Sequence, residues 1–93
     1  MRLPRPEVWD SKWRIIMFDI PEVLKKNRDA FATVMKRLGF EKLQKSVFIC
    51  PFPCEGELKT LAKYFGIDAC VVIILTEHIP NEQYLIKRFA LRK

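Results

Sequence analysis

Asp19 closes the most apolar short run near the start of the sequence, Trp13-Arg14-Ile15-Ile16-Met17-Phe18, and Ile20-Pro21-Glu22 follow it. A run of β-branched and aromatic residues bounded by proline reads as a buried strand. A carboxylate at the tip of such a strand costs desolvation unless a cation or hydrogen-bond donors face it. Asp19 therefore has two readings. As a ligand it would hold a divalent metal against a phosphate-rich partner. As a cap it would accept amide hydrogen bonds from the start of the first helix. The remaining reactive groups are sparse. His78 is the sole histidine, and Cys50, Cys54 and Cys70 contain no C-x-x-C pair. That pattern argues against a disulfide framework and against structural zinc, and predicts reduced, mostly buried thiols. Cys54 opens a helix, where a thiolate is stabilised, yet it reads first as a buried thiol. Ser46 has no histidine beside it in any motif and is not read as a nucleophile.

Charge supplies the second clue. Seventeen Lys and Arg against eleven Asp and Glu leave a net charge of +6 and a pI near 9.5. That lies above the ~9 common among nucleic-acid-binding domains. The 93 residues make one domain. A chain this short buries roughly 60–65% of its unfolded surface, so self-association would help it. With 49% apolar residues it is not a disordered chain. No apolar stretch approaches the ~18–20 residues that span a bilayer, so no membrane partner is expected. The basic start, Met1 to Pro6, lacks the apolar core of a signal peptide, and a cytoplasmic location is the expectation.

These groups must be carried by a small set of elements. Residues 1–12 read as an arm in which Pro4 and Pro6 forbid helix and Trp9 folds back onto the domain. Residues 13–19 form the first strand, and Pro21 sets the start of a helix over 22–38. Leu24, Phe31, Val34, Met35 and Leu38 fall on one stripe of it, and Gly39 stops it. Residues 40–52 are extended, with a bend near 44–46 that no Asn-Gly or Gly-Gly marks. A second helix runs from Cys54 to Phe65, with Leu58, Leu61, Ala62 and Phe65 on one face. Residues 70–75 are a continuous apolar run, a strand buried on or near both faces. Beyond Pro80, Asn81 caps a last short helix, or the segment is an edge strand. The order gives an α+β, ferredoxin-like βαββαβ fold: a four-stranded antiparallel sheet with two helices on one face. The open face then calls for a second copy, in an isologous homodimer. The division is an arm (1–12), the ferredoxin-like domain (13–76) and a C-terminal dimer-contact tail (77–93).

Phe18-Asp19-Ile20, a basic helix ending at Leu38-Gly39-Phe40, and Gln44-Lys45-Ser46-Val47-Phe48 occur in that order. This resembles the small CRISPR-associated "Cas-two" family, the bridging subunit of the spacer-integration machinery. It also resembles the similar central domain of the phenylacetate-type transcriptional repressors. Phe18-Asp19-Ile20-Pro21-Glu22, the Gln-x-Ser-Val-Phe segment and Pro51-x-Pro53-Cys54-Glu55 lean toward that repressor branch. The resemblance covers about residues 9–76. The repressors place a winged helix-turn-helix ahead of this domain, whereas this sequence opens in the arm, so a free-standing subunit is the leading expectation. Pro4 to Trp9 nevertheless look like a domain linker.

The resemblance implies a homodimer whose two Asp19 side chains meet near the twofold axis. In that family the acidic pair can bind Mg²⁺ or Mn²⁺ and in some members supports phosphodiester hydrolysis, so Asp19 is the candidate catalytic and metal-binding residue. Such an ion would neutralise the paired carboxylates and lower the pKa of a bound water. Catalysis by this chain, as an endoribonuclease or DNase, stays open at this point. Arg14, Lys25, Lys26, Arg28, Lys36, Arg37, Lys42 and Lys45 are the candidate duplex-phosphate contacts, binding without base readout; the helix cations among them equally make a solvated face. Phe48 and Phe65 sit at core spacing. The leading expectation is a CRISPR adaptation subunit, a dimeric duplex-DNA bridge partnering the integrase subunit. The alternatives are the dimerisation domain of a phenylacetate-type repressor, without catalysis, and a stand-alone metal-dependent nuclease of the toxin type.

Overall fold

Trp13–Phe18 form strand β1, and its alternating side chains are buried toward two different cores. In the computed structural model, residues 8–91 are described. After β1 come α1 (Lys25–Leu38), the hairpin of β2 (Glu41–Gln44) and β3 (Val47–Cys50), then α2 (Glu55–Tyr64), β4 (Val71–Thr76) and α3 (Glu82–Phe89). Short 3-10 turns at Glu22–Leu24 and Asp68–Cys70 lead into α1 and β4. The sheet order is β2-β3-β1-β4, with every neighbouring pair antiparallel. Ile16 faces Phe48 on one side and Ile73 on the other, so β1 is central. This is the expected ferredoxin-like α+β arrangement, with a third helix added.

One face of the sheet packs against α1 and α2. Ile16, Phe18, Phe48 and Cys50 meet Phe31 and Met35 of α1 and Leu58 and Ala62 of α2. Phe18 stacks on Phe48 at 5.8 Å between centroids and meets Phe31 edge-on at 5.7 Å. The predicted apolar stripe thus faces the sheet, which is what makes α1 a helix here, since isolated helices of this length are marginal. Gly39 ends α1 with φ 108°, a left-handed conformation that glycine adopts without strain. Lys36 and Arg37 lie in the last turn, where cations favour the carbonyl end. The expected helix over 22–38 begins with a 3-10 turn and becomes α-helical only at Lys25.

The opposite face is covered at one end. Trp9, Trp13 and Ile49 pack with Leu85 of α3, and the two indoles meet at 4.8 Å. Trp13 Nε1 donates to Glu82 Oε1 at 3.0 Å, and Arg88 Nε lies 2.9 Å from Glu41 Oε2. Trp9 does fold back as expected. The C-terminal segment, expected to contact a second copy, packs on its own sheet through α3. Asn81 precedes α3 with φ 63° and makes no side-chain cap bond; it turns the chain and does not cap it. The unmarked hairpin is held from outside: Phe18 N–H donates to Ser46 O at 3.1 Å, and the ladder shifts register between Lys42 and Gln44.

Phe48 is fully buried between β1 and the helices. Phe48→Ala should lower the unfolding free energy by about 3–5 kcal/mol, seen as a reduced urea midpoint at unchanged m-value.

Candidate functional site

Asp19 follows β1, and its N–H donates to Cys70 O at 3.1 Å, extending the contact between β1 and β4 by one residue. Its side chain is exposed. The residue at the cap position of the following turn is Pro21, and no side-chain cap bond forms there, so the capping role considered for Asp19 is not seen. Among the described residues, no group of three or more His, Cys, Asp or Glu could hold a metal ion. Mg²⁺ takes about six oxygen ligands, several of them often water, and a lone carboxylate does not make a dedicated site. One chain thus supplies Asp19 as a single exposed carboxylate to any such ion. His78 sits in the turn after β4, where its N–H donates to Thr76 Oγ1 at 3.4 Å.

By strand alternation Asp19 lies on the side of Met17, not of Phe18. That side is apolar and open beyond the reach of α3. Met17 pairs with Val72, and Ile15 with Ile74. Met17, Val72 and Ile74 are 43%, 56% and 42% exposed, although all three lie within the sheet. Val71 and Ile73, one residue out of phase, pack into the helix-side core. The apolar run of β4 is therefore divided between a filled face and an empty one.

Arg14 departs from expectation. It was placed among the phosphate contacts, but its guanidinium is buried. Nη1 donates to Asp10 Oδ1 at 3.0 Å, to Lys12 O at 2.9 Å and to Pro51 O at 2.8 Å, while Nη2 donates to Asp10 Oδ2 at 2.6 Å. Nε has no hydrogen-bond partner among the described residues and lies 3.6 Å from Glu55 Oε1, too far for a hydrogen bond but close enough for charge attraction. The hydrogen bond from Arg14 holds the Asp10 carboxyl below its usual range, against the desolvation that raises it. The same bond raises Arg14, again against burial. Arg14 sits on the helix side of β1 and is only 5% exposed, so its charge needs partners.

The other cations remain outside. Lys25, Lys26, Lys36, Arg37, Lys42 and Lys45 are exposed, and Arg28 is half-buried, its Nε 3.4 Å from Asp29 Oδ1. Those on α1 lie off the stripe that meets the sheet. Lys36, Arg37 and Lys42 come together with Arg88 around a cleft of about 460 Å³ between the end of α1, β2 and α3. Arg88 was not anticipated, because nothing local in the sequence brings α3 beside β2.

The chain matches the model of one protein family, the PaaX protein central Cas2-like domain, over residues 6–85. It belongs to that family. No curated protein matches the chain. The PaaX-type central domain seen here thus has an open apolar sheet face with Asp19 at its end, an outer α1 surface rich in cations, and a buried Arg14 tying Asp10 to the sheet. Arg14, Met17, Val72 and Ile74 could be misread from composition alone; Cys70-Val71-Val72-Ile73-Ile74-Leu75 is apolar at every position and carries no alternation that marks an open face.

A carboxyl whose folded pKa is depressed stabilises the fold above its unfolded pKa, and that contribution is lost as pH falls through the folded value. Asp10→Asn should therefore be less stable than wild type at pH 7, by no more than about 1 kcal/mol given the exposure of Asp10. The gap should narrow below about pH 4 and close in stronger acid, as read by denaturant titrations at each pH.

Proposed function

We propose that this chain is the dimerising body of a PaaX-type transcriptional repressor, a module that joins two copies and performs no chemistry of its own. The observation that carries this is the half-open sheet. Met17 on β1 and Val72 and Ile74 on the edge strand β4 expose apolar surface on one face of a regular antiparallel sheet, where a monomer would be expected to present polar side chains. An isologous partner laid on this face would bring the two Asp19 side chains toward the axis and leave α1, with Lys25, Lys26, Lys36 and Arg37, on the outside. Repressors of this kind read DNA through a winged helix-turn-helix. A rigid dimer body would fix the spacing of two such readers, and the outer cations would lie near the duplex without reading bases.

The match to the repressor's central domain supports this reading over the bridging subunit of CRISPR adaptation. In the dimer the paired Asp19 carboxylates would repel unless separated or neutralised. The regulator needs no metal there.

Light scattering or sedimentation equilibrium at micromolar concentration should give twice the mass of one chain. Val72→Lys combined with Ile74→Lys, both at exposed positions, should give a folded monomer with unchanged far-UV circular dichroism. A wild-type chain that stays monomeric to about 100 μM, at which a useful interface would long have formed, would remove the proposal. Cleavage of RNA or DNA in Mg²⁺ or Mn²⁺ that disappears in Asp19→Ala would restore the nuclease alternative.

A further inference from the structure

α1 carries five cations and one carboxylate, whereas α2, its neighbour on the same sheet face, carries two of each. The positive charge of this side of the molecule therefore belongs to α1. Successive side chains turn by about 100° around a helix, and Phe31, Met35 and Leu38 point to the sheet. The opposite side is then made by Lys25 and Lys26, next by Asp29, Ala30 and Thr33, and last by Lys36 and Arg37. Every one of these is exposed. α1 exposes no large apolar side chain, so this face lacks what a protein partner would bury.

The order along the axis is cation pair, low middle, cation pair. Lys36 lies three turns beyond Lys25, and Arg37 three turns beyond Lys26, so the pairs point the same way to within about 20° and stand about 16 Å apart. Between them the surface is nearly neutral. Asp29 Oδ1 lies 3.4 Å from Arg28 Nε. Ala30 is short, and Thr33 Oγ1 donates to Asp29 O at 3.0 Å, which turns the hydroxyl back onto the helix. At the far end Lys36 and Arg37 are joined by Lys42 and Arg88 around the cleft beside β2.

We propose that the outer face of α1 lies across the major groove of B-form DNA, with Lys25 and Lys26 on the phosphates of one rim and Lys36 and Arg37 on those of the other. This rests on the reading of the chain as a repressor's body, and adds which surface meets the duplex and in what pose. Neighbouring phosphates of one strand are too close together to engage both pairs, whereas the rims of a groove about 12 Å wide fall within reach of side chains anchored about 16 Å apart. A small anion would occupy one pair and leave the other idle. The low middle lets the helix come down over the groove. Ala30, and a Thr33 hydroxyl already committed to the backbone, read no base edge, so the contact is one of charge and shape. Duplex RNA, with its deep and narrow major groove, does not match the spacing.

The full chain is titrated onto a fluorescent DNA duplex of roughly 20 base pairs and arbitrary sequence, between about 50 and 200 mM salt, with its mass followed by sedimentation in the same samples. Lys25→Ala with Lys26→Ala, and separately Lys36→Ala with Arg37→Ala, should each flatten the slope of log K against log salt by about 2 per bound chain, at unchanged mass and far-UV circular dichroism. Lys59→Ala with Lys63→Ala removes the same charge from exposed positions of α2 and should move the slope by less than about 0.5. An RNA duplex of equal length should bind at least about tenfold more weakly. A loss confined to one α1 pair, an equal loss from α2, or equal affinity for RNA would overturn the proposal. So would a wild-type chain that shows no binding to about 100 μM at the lowest salt. A monomeric chain that still shows both α1 effects would sink the dimeric reading and uphold this surface.

Discussion

β1 has to be buried on both of its faces, and most of the structure follows from how that is met. Ile16 and Phe18 are covered by α1 and α2, while Trp13 and Ile15 need cover on the other side. Among the described residues only α1 and α2 are long helices, and right-handed crossovers place both on the same face. The second face is left to α3, Trp9 and whatever else can be recruited. α3 spans eight residues, about 12 Å, and covers the Trp13 end only. The exposed Met17, Val72 and Ile74 are the remainder of the same constraint.

Arg14 is the one exception within β1 to the rule that its helix side is apolar. Its cost is offset by four partners: the carbonyls of Lys12 and Pro51, and the carboxylates of Asp10 and Glu55. Removing a partner from a buried charge is far more damaging than never having had the pair. The arm at Asp10, the exit of β3 and the start of α2 are therefore coupled through a single side chain. Trp9, whose indole N–H donates to Lys12 O at 2.9 Å, reinforces the arm from the other face.

Element types and their order were legible because their signals are local. The stripe of Phe31, Val34, Met35 and Leu38, the stop at Gly39, and the apolar runs before Asp19 and after Cys70 each lie within one element. What escaped was set by long-range contact. A cation in a strand reads as a surface charge unless its partners are known, and Asp10 is four residues away only in sequence terms that a strand does not ordinarily bring together. The β2–β3 hairpin lacks turn residues because Ser46 is held by Phe18. α3 folds onto its own sheet through Leu85 and Glu82, contacts that span most of the chain. For the candidate site, the exposed lysines and arginines were legible as a class, whereas the open face required knowing which residues of β4 the helices cover.

In the proposed dimer the face alone is too small. A lasting interface hides roughly 800 Å² on each partner, and the exposed parts of Met17, Val72 and Ile74 supply a fraction of that. β4 offers the remainder. It is an edge strand, hydrogen-bonded to β1 on one side only, and its Leu75, on the helix side with Val71 and Ile73, is also largely exposed. Among the residues of β4 itself there is no charge or proline of the kind that blunts a free edge. A second copy that took the face and the edge together would satisfy both the apolar side chains and the outer backbone groups of β4, whereas one that took either alone would leave the other exposed. The same geometry keeps α1 outward, so the apolar demand and the positive charge are served by opposite sides of one small sheet.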